Sequence, residues 1–381
     1  MKRIATIASL LLLILALTSC GGGNPGANTT VSGIASKGLI INGVVKIYSV
    51  TGGAKGVLLA QTTTDDNGFY TADISPYSGP IMVEASGSYQ DEATGSTQTI
   101  PADSPLHAAL SLAQGAVNLP VTALTELAVI KMGGDLTPEA ISAANTLISD
   151  LFKVDIVATL PVSPTSAALA SATQAEKDYT LALATVSQMA STSIGSSDSD
   201  KLNNALATIG LGISSTGMNT ETVTAIQSAL TDFVSNPNNN TGVSNTTTTS
   251  LVNAGTLSKS YKLNLQGAFT PNSVTGLQFS LSLPVGVTLN ANSSTSAVLS
   301  SSLVLSGATP SGTLLAAKYT PGSLTVAIIT TNGLSAGEVI TLTCNIPAGE
   351  SAPSPTSFTV TNLRSIDQDG ANVPGTSILI N

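Results

Sequence analysis

The sequence predicts a multidomain, mainly β protein in which two antiparallel β-sandwiches flank an α-helical bundle. Three observations lead there. Short alternating apolar runs broken by Gly and Asn fill residues 31–100, a 3.6-residue apolar period takes over at 101–235, and alternation returns at 257–381. An Asn/Thr-rich stretch at 236–256 without periodicity reads as the linker before the last domain.

Residues 1–19 precede these domains. Lys2 and Arg3, the apolar run Ile4 to Leu17 and the small Thr18 and Ser19 have the order of a secretory signal peptide, and the run is too short to span a bilayer. The tetrad Leu17-Thr18-Ser19-Cys20 resembles the bacterial lipobox. That resemblance implies cleavage before Cys20, lipidation of its thiol and anchoring to a membrane through several acyl chains. Gly21 stands where an inner-membrane lipoprotein carries Asp, so the implied place is the outer membrane, with the cell surface open to it. Residues 20–30, rich in Gly and Asn, read as a flexible tether.

In the first β region, strands are expected at Gly43 to Val50, Val57 to Thr64, Phe69 to Ile74 and Ile81 to Ala85. Asp65-Asp66-Asn67-Gly68 before Phe69-Tyr70 is a hairpin turn, preferred to a calcium loop because the spaced ligands and closing Glu of an EF-hand are missing. The words GVVKIYS, TTTDDNGFY and SGSYQDEATG resemble the carboxypeptidase regulatory-like, transthyretin-like β-sandwich modules of bacterial surface proteins.

The middle region carries twelve carboxylates against four lysines. One helix is marked by Leu124, Leu127, Ala128 and Lys131. A second starts at Thr137-Pro138-Glu139, where a cap, a first-turn proline and an acid on the dipole coincide, and runs to about Lys153. Others are expected at Gln174 to Ala190, Asp198 to Ile209 and Thr220 to Val234. The acid excess reads as solvated faces.

In the last region Tyr261, Leu263 and Leu265, then Leu277, Phe279, Leu281 and Leu283, then Leu324, Val326 and Ile328, then Ile340, Leu342, Cys344 and Ile346 fall on one face of their strands. Such strands predict an antiparallel sandwich of eight or nine. The segments GLQFSLSLPVGVTL, GSLTVAIITTNGLSAGEVITLTCNIPAG and FTVTNLRSIDQDGANVPG resemble the cohesin and carbohydrate-binding-module superfamily. The resemblance implies a non-catalytic module for binding, adhesion or assembly, with a dockerin-like or envelope protein as partner. The alternative it implies is polysaccharide binding in support of polysaccharide breakdown. The region has no Trp, and its aromatics are Tyr261, Phe269, Phe279, Tyr319 and Phe358. With several of these on apolar faces, sugar stacking is poorly supplied.

Composition excludes other classes. A net charge of −9, made two units more acidic by loss of Lys2 and Arg3, leaves no basic surface for nucleic acid. With Cys20 lipidated, Cys344 has no disulfide partner and reads as a buried small hydrophobe. Gly333-Leu334-Ser335-Ala336-Gly337 matches the Gly-x-Ser-x-Gly elbow, but a strand follows it and the single histidine, His107, lies upstream. His107 has apolar neighbours in sequence and reads as structural. Asp91-Glu92 and Asp65-Asp66 are acid pairs expected to point apart, and a carboxylate enzyme would need two acids converging in a cleft of the middle domain. Gly210-Leu211-Gly212 lacks the third glycine of a phosphate loop. Asp367-Gln368-Asp369-Gly370 reads as a polar turn, with calcium at Asp367 and Asp369 the lesser alternative. Cys20 is thus the one site residue expected; no catalytic, cofactor or metal residue is assigned, and no cofactor is expected.

Overall fold

A computed structural model describes residues 28–215, 217–246, 249–292, 295–307, 309–347 and 350–381. The signal peptide, Cys20 and most of the tether lie outside the described residues. The protein is mainly β, with several antiparallel sheets and, among the described residues, six α-helices. None of those helices is long and apolar enough to cross a membrane.

Two hydrophobic cores organise the chain. The first runs from Val31 to Ala254 and the second from Tyr261 to Ile380. Around the first, β1 (Thr30–Ser36) lies between β4 (Phe69–Asp73) and β8 (Ala116–Asn118), with β9 (Val121–Thr122) pairing further along it. The facing sheet joins β3 (Ala54–Thr63), β2 (Val44–Thr51), β5 (Gly79–Gln90) and β6 (Thr97–Ile100), with β7 (Leu106–Ala113) also on β5. The pairing of β1 with β8 and β9 is parallel, so this sandwich is mixed where an antiparallel one was expected.

The strands also continue to residue 122, past the boundary expected at 100. Leu106–Ala113 reads LHAALSLA, and its alanines fit a helical period as well as a strand. Only its place beside β5 makes it β. The helices are α1 (Ala123–Met132), α2 (Pro138–Phe152), the short α3 (Ser166–Ser171), α4 (Gln174–Thr192), α5 (Asp198–Gly212) and α6 (Thr220–Val234). Thr122, Thr137, Thr173, Ser197 and Asn219 cap five of them with side-chain oxygens. α1 and α2 pack on β7, and the buried faces of α4, α5 and α6 join the same core as the strands. The helices therefore share the first sandwich's core rather than closing one of their own.

The Asn/Thr-rich segment is pinned where a free linker was expected. Asn236 Nδ2 donates to Ala93 O at 2.9 Å and Gln188 Oε1 at 2.8 Å, and Asn238 Nδ2 to Ala93 O at 3.0 Å. Leu251 and Ala254 are buried. Asn side chains supply hydrogen bonds that a composition reading counts only as polarity.

The second core is enclosed by two four-stranded antiparallel sheets. One orders β14 (Leu303–Leu305), β17 (Gly337–Ile346), β12 (Leu257–Gln266) and β19 (Ser377–Ile380), and the other β15 (Leu314–Thr320), β16 (Ser323–Leu334), β13 (Val274–Ser282) and β18 (Thr359–Ile366). The inward positions are those the alternation marked.

Candidate functional site

The outer face of the β15-β16-β13-β18 sheet is the strongest candidate for recognition. Leu314 and Ile329 are direct cross-strand partners there, 68% and 60% exposed. Ala316 opposes Ala327 one step along, and Gly276 lies on the far side of Ile329, so the patch is apolar. Lys318 on β15 and Arg364 on β18 share the outward register and bring positive charge to this face of an acidic protein. All five aromatic side chains of the domain pack against the second core instead: Tyr261, Phe279 and Phe358 are buried, Phe269 and Tyr319 partly so. Among the described residues no aromatic ring of this domain is exposed, which leaves little for sugar stacking.

A cleft of about 1260 Å³ opens between the helices and the second sandwich. Its wall mixes amides and hydroxyls, among them Asn145, Thr146, Asn253, Asn290 and Ser301, with apolar side chains such as Leu110, Val157, Val252, Leu289 and Leu299. Three carboxylates also line it, and each is engaged. Asp178 accepts from Thr249 and Ser250; Asp150 accepts from Lys153 Nζ at 3.0 Å and Ser258 N at 2.5 Å; Asp155 Oδ1 accepts from the Val157 and Ala158 amides. Lys153 Nζ also donates to Thr256 O at 2.7 Å and Ser258 Oγ at 3.1 Å, fastening the start of β12 to the end of α2.

Asp91 and Glu92, expected to point apart, both face one buried lysine. Lys37 lies one residue past β1, and its Nζ is 2.8 Å from Asp91 Oδ2, 2.6 Å from Ser187 Oγ and 3.9 Å from Glu92 Oε2. Ser187 on α4 donates to Glu92 Oε2 at 2.6 Å, with Leu183 O at 3.1 Å a longer second acceptor. Asp91 Oδ1 accepts from the Ala93 and Thr94 amides at 3.1 and 2.9 Å and from the Thr94 hydroxyl at 3.1 Å. This tight turn after β5 swings both acids to one side. Burial opposes charge on Lys37, but Glu92, Tyr89 and Asp91 outweigh it and hold the lysine above its ordinary pKa. Burial likewise opposes charge on Asp91, but Lys37 and the Thr94 donors hold its carboxyl below the ordinary value.

His107 also has carboxylate neighbours that its sequence surround did not show. Nδ1 is 2.7 Å from Glu126 Oε2 on α1, and Nε2 is 3.7 Å from Glu84 Oε1 on β5, which Lys55 contacts at 2.6 Å. Burial pulls the imidazole pKa down, yet Glu126 and Glu84 raise it above 6.5. A raised folded pKa gives stability that is fully present below 6.5 and lost as pH rises through the raised value. The melting temperature of the wild type is therefore expected to fall across that window. In His107→Gln the fall should be absent; an equal fall would assign it to other groups.

The remaining candidates are structural. Asp65 Oδ1 accepts from the Asn67 and Phe69 amides and Gly68 takes φ +71°, so the expected turn is present, but it links β3 to β4 in different sheets and does not close the expected hairpin. Asp367 Oδ1 accepts from the Asp369 and Ala371 amides, an Asx turn. Among the described residues no group of three His, Cys, Asp or Glu is placed to hold a metal. Ser335 lies in the loop that carries the chain from β16 in one sheet to β17 in the other, and its hydroxyl donates to Asn272 Oδ1 at 2.9 Å. Cys344 is buried in β17, and burial pushes its thiol up to about 12.

No family model matches the chain, and no curated protein is similar to it. A solved non-cellulosomal cohesin from the hyperthermophilic archaeon Archaeoglobus fulgidus is similar at 16% identity with a TM-score of 0.23, covering 30% of this chain and 72% of that one. So slight a likeness carries no argument about function.

Proposed function

We propose that the protein is an outer-membrane lipoprotein, anchored through Cys20, whose cohesin-like C-terminal sandwich binds a partner protein without catalysis. The observation that carries this reading is the exposed Leu314–Ile329 pair on the outer sheet face. Apolar side chains side by side in water favour burial by another surface, and the adjacent Lys318 and Arg364 suit a partner whose anchor is flanked by acids. In the same reading the first unit, resembling a transthyretin-like module, stands between membrane and binding domain.

The experiment uses the full chain with Cys20→Ser, expected in the soluble rather than the membrane fraction, as bait for envelope and secreted proteins. One partner retained at stoichiometric level, with affinity reduced about tenfold or more by Ile329→Asp, is the expected result. Retention unaffected by Ile329→Asp overturns the face assignment.

A second reading rests on the cleft. Its mixed wall of amides, hydroxyls and apolar side chains suits a neutral oligosaccharide, whose rings present both polar edges and apolar faces. Insoluble polysaccharide retaining the bait and the Ile329→Asp chain equally favours this reading.

A further inference from the structure

We propose that Lys37 and Asp91 condense into an intramolecular amide, with Glu92 taking the proton of the amine through Ser187. The four side chains bring the reacting groups together as a charged pair, so the reaction begins with loss of a proton from Nζ. The nucleophile Nζ lies 2.8 Å from Asp91 Oδ2. Asp91 Oδ1 faces the other way, into the Ala93 amide, the Thr94 amide and the Thr94 hydroxyl, which would hold the oxyanion of a tetrahedral intermediate. Nζ donates to Ser187 Oγ and Ser187 donates to Glu92 Oε2, each at 2.6 Å, so a two-step proton path leads from ammonium to carboxylate.

The surplus charge separates this site from a plain ion pair. One carboxylate balances one lysine, yet here two buried carboxylates meet a lysine that has no exposed surface. A second buried acid costs desolvation and adds no neutralisation. Glu92 Oε1 recovers part of that cost by accepting from the Gly38 amide at 2.7 Å, and Oε2, on the Ser187 side, is the oxygen placed to take a proton.

The atoms balance. A proton leaves Nζ for Ser187 as the Ser187 proton passes to Glu92, and the freed lone pair attacks Asp91 Cγ. The C–N bond forms. As the intermediate collapses, the C–Oδ2 bond breaks, and Oδ2 departs as water with the proton held by Glu92 and a second proton from nitrogen. One proton stays on the amide, Glu92 ends ionised as it began, and nothing is oxidised or reduced. A pocket of about 160 Å³ bordered by Asp91, Glu92, Gln90 and Asn238 adjoins the site and gives the released water a way out.

The bond would join the end of β1 in one sheet to the end of β5 in the other. The test is peptide mass spectrometry on the full chain after digestion with trypsin. The expected product is a branched peptide joining Lys37 to Asp91, lighter by one water than its two linear parts, with no cleavage after Lys37. Cleavage after Lys37 and recovery of both peptides in linear form from folded protein overturns the proposal. In freshly made Glu92→Gln, which keeps the side-chain shape, branching is expected to slow by on the order of a hundredfold while far-ultraviolet circular dichroism is unchanged. Branching at the wild-type rate in that folded variant removes Glu92 from the reaction.

Discussion

Asp178→Ala is expected to destabilise the first core by roughly 3 kcal/mol, the cost of leaving buried donors without their acceptor. Asp178 on α4 is 3% exposed and holds the chain from a distance of 71 residues. Its Oδ1 accepts from Thr249 Oγ1 at 2.7 Å, Ser250 N at 3.2 Å and Gln174 Nε2 at 3.0 Å, and its Oδ2 accepts from Ser250 Oγ. An alanine methyl returns none of these. The donors sit where the chain turns towards Leu251 and Ala254, both buried in the first core. Two observables should change together in the variant: the urea midpoint falls, and proteases cut within residues 241–256 in native conditions. A loss under about 1 kcal/mol, below the usual cost of such a deletion, would show that Leu251 alone holds the segment.

The helices were legible because their start signals are local. Thr137-Pro138 sits within one turn of the residues it caps, and the observed helices begin at Pro138 and Gln174 as expected. The second sandwich was legible for a similar reason, since alternation alone assigns Tyr261, Phe279 and Cys344 to the inside. What failed depends on partners far along the chain. Lys37 meets residues 54 and 150 positions away, and His107 meets Glu126 19 positions away. No periodicity encodes such meetings. The alanine-rich β7 likewise has a pattern two structures can use, and β5 decides between them. The exposed Leu314–Ile329 pair was illegible because register, not composition, sets two apolar residues side by side.

Gly33→Ala is expected to cost roughly 4 kcal/mol, combining overpacking with a broken buried hydrogen bond. Gly33 is the middle of β1, where a Cβ would lie 2.1 Å from Leu119 O and 2.9 Å from Tyr70 Cε1. Backbone must therefore move. The Leu119 carbonyl it displaces is the acceptor for the Tyr70 hydroxyl at 2.5 Å, and Tyr70 is 1% exposed, so the hydroxyl would lose its partner away from water. The Leu119 amide donates to Ser32 O at 2.8 Å, and the same shift loosens that contact between β1 and the chain after β8. A fall in the urea midpoint with an unchanged slope would report it; a cost under about 1 kcal/mol would mean the sheet yields at little expense. The variant also bears on the Lys37–Asp91 bond. β1 sets the position of Lys37 four residues on, and displacement of the strand moves Nζ away from Asp91 Oδ2. Less branched peptide is therefore expected from Gly33→Ala than from the wild type. Equal branching in a destabilised chain would show that the Lys37 site is held by α4 and the turn after β5, independently of how β1 packs.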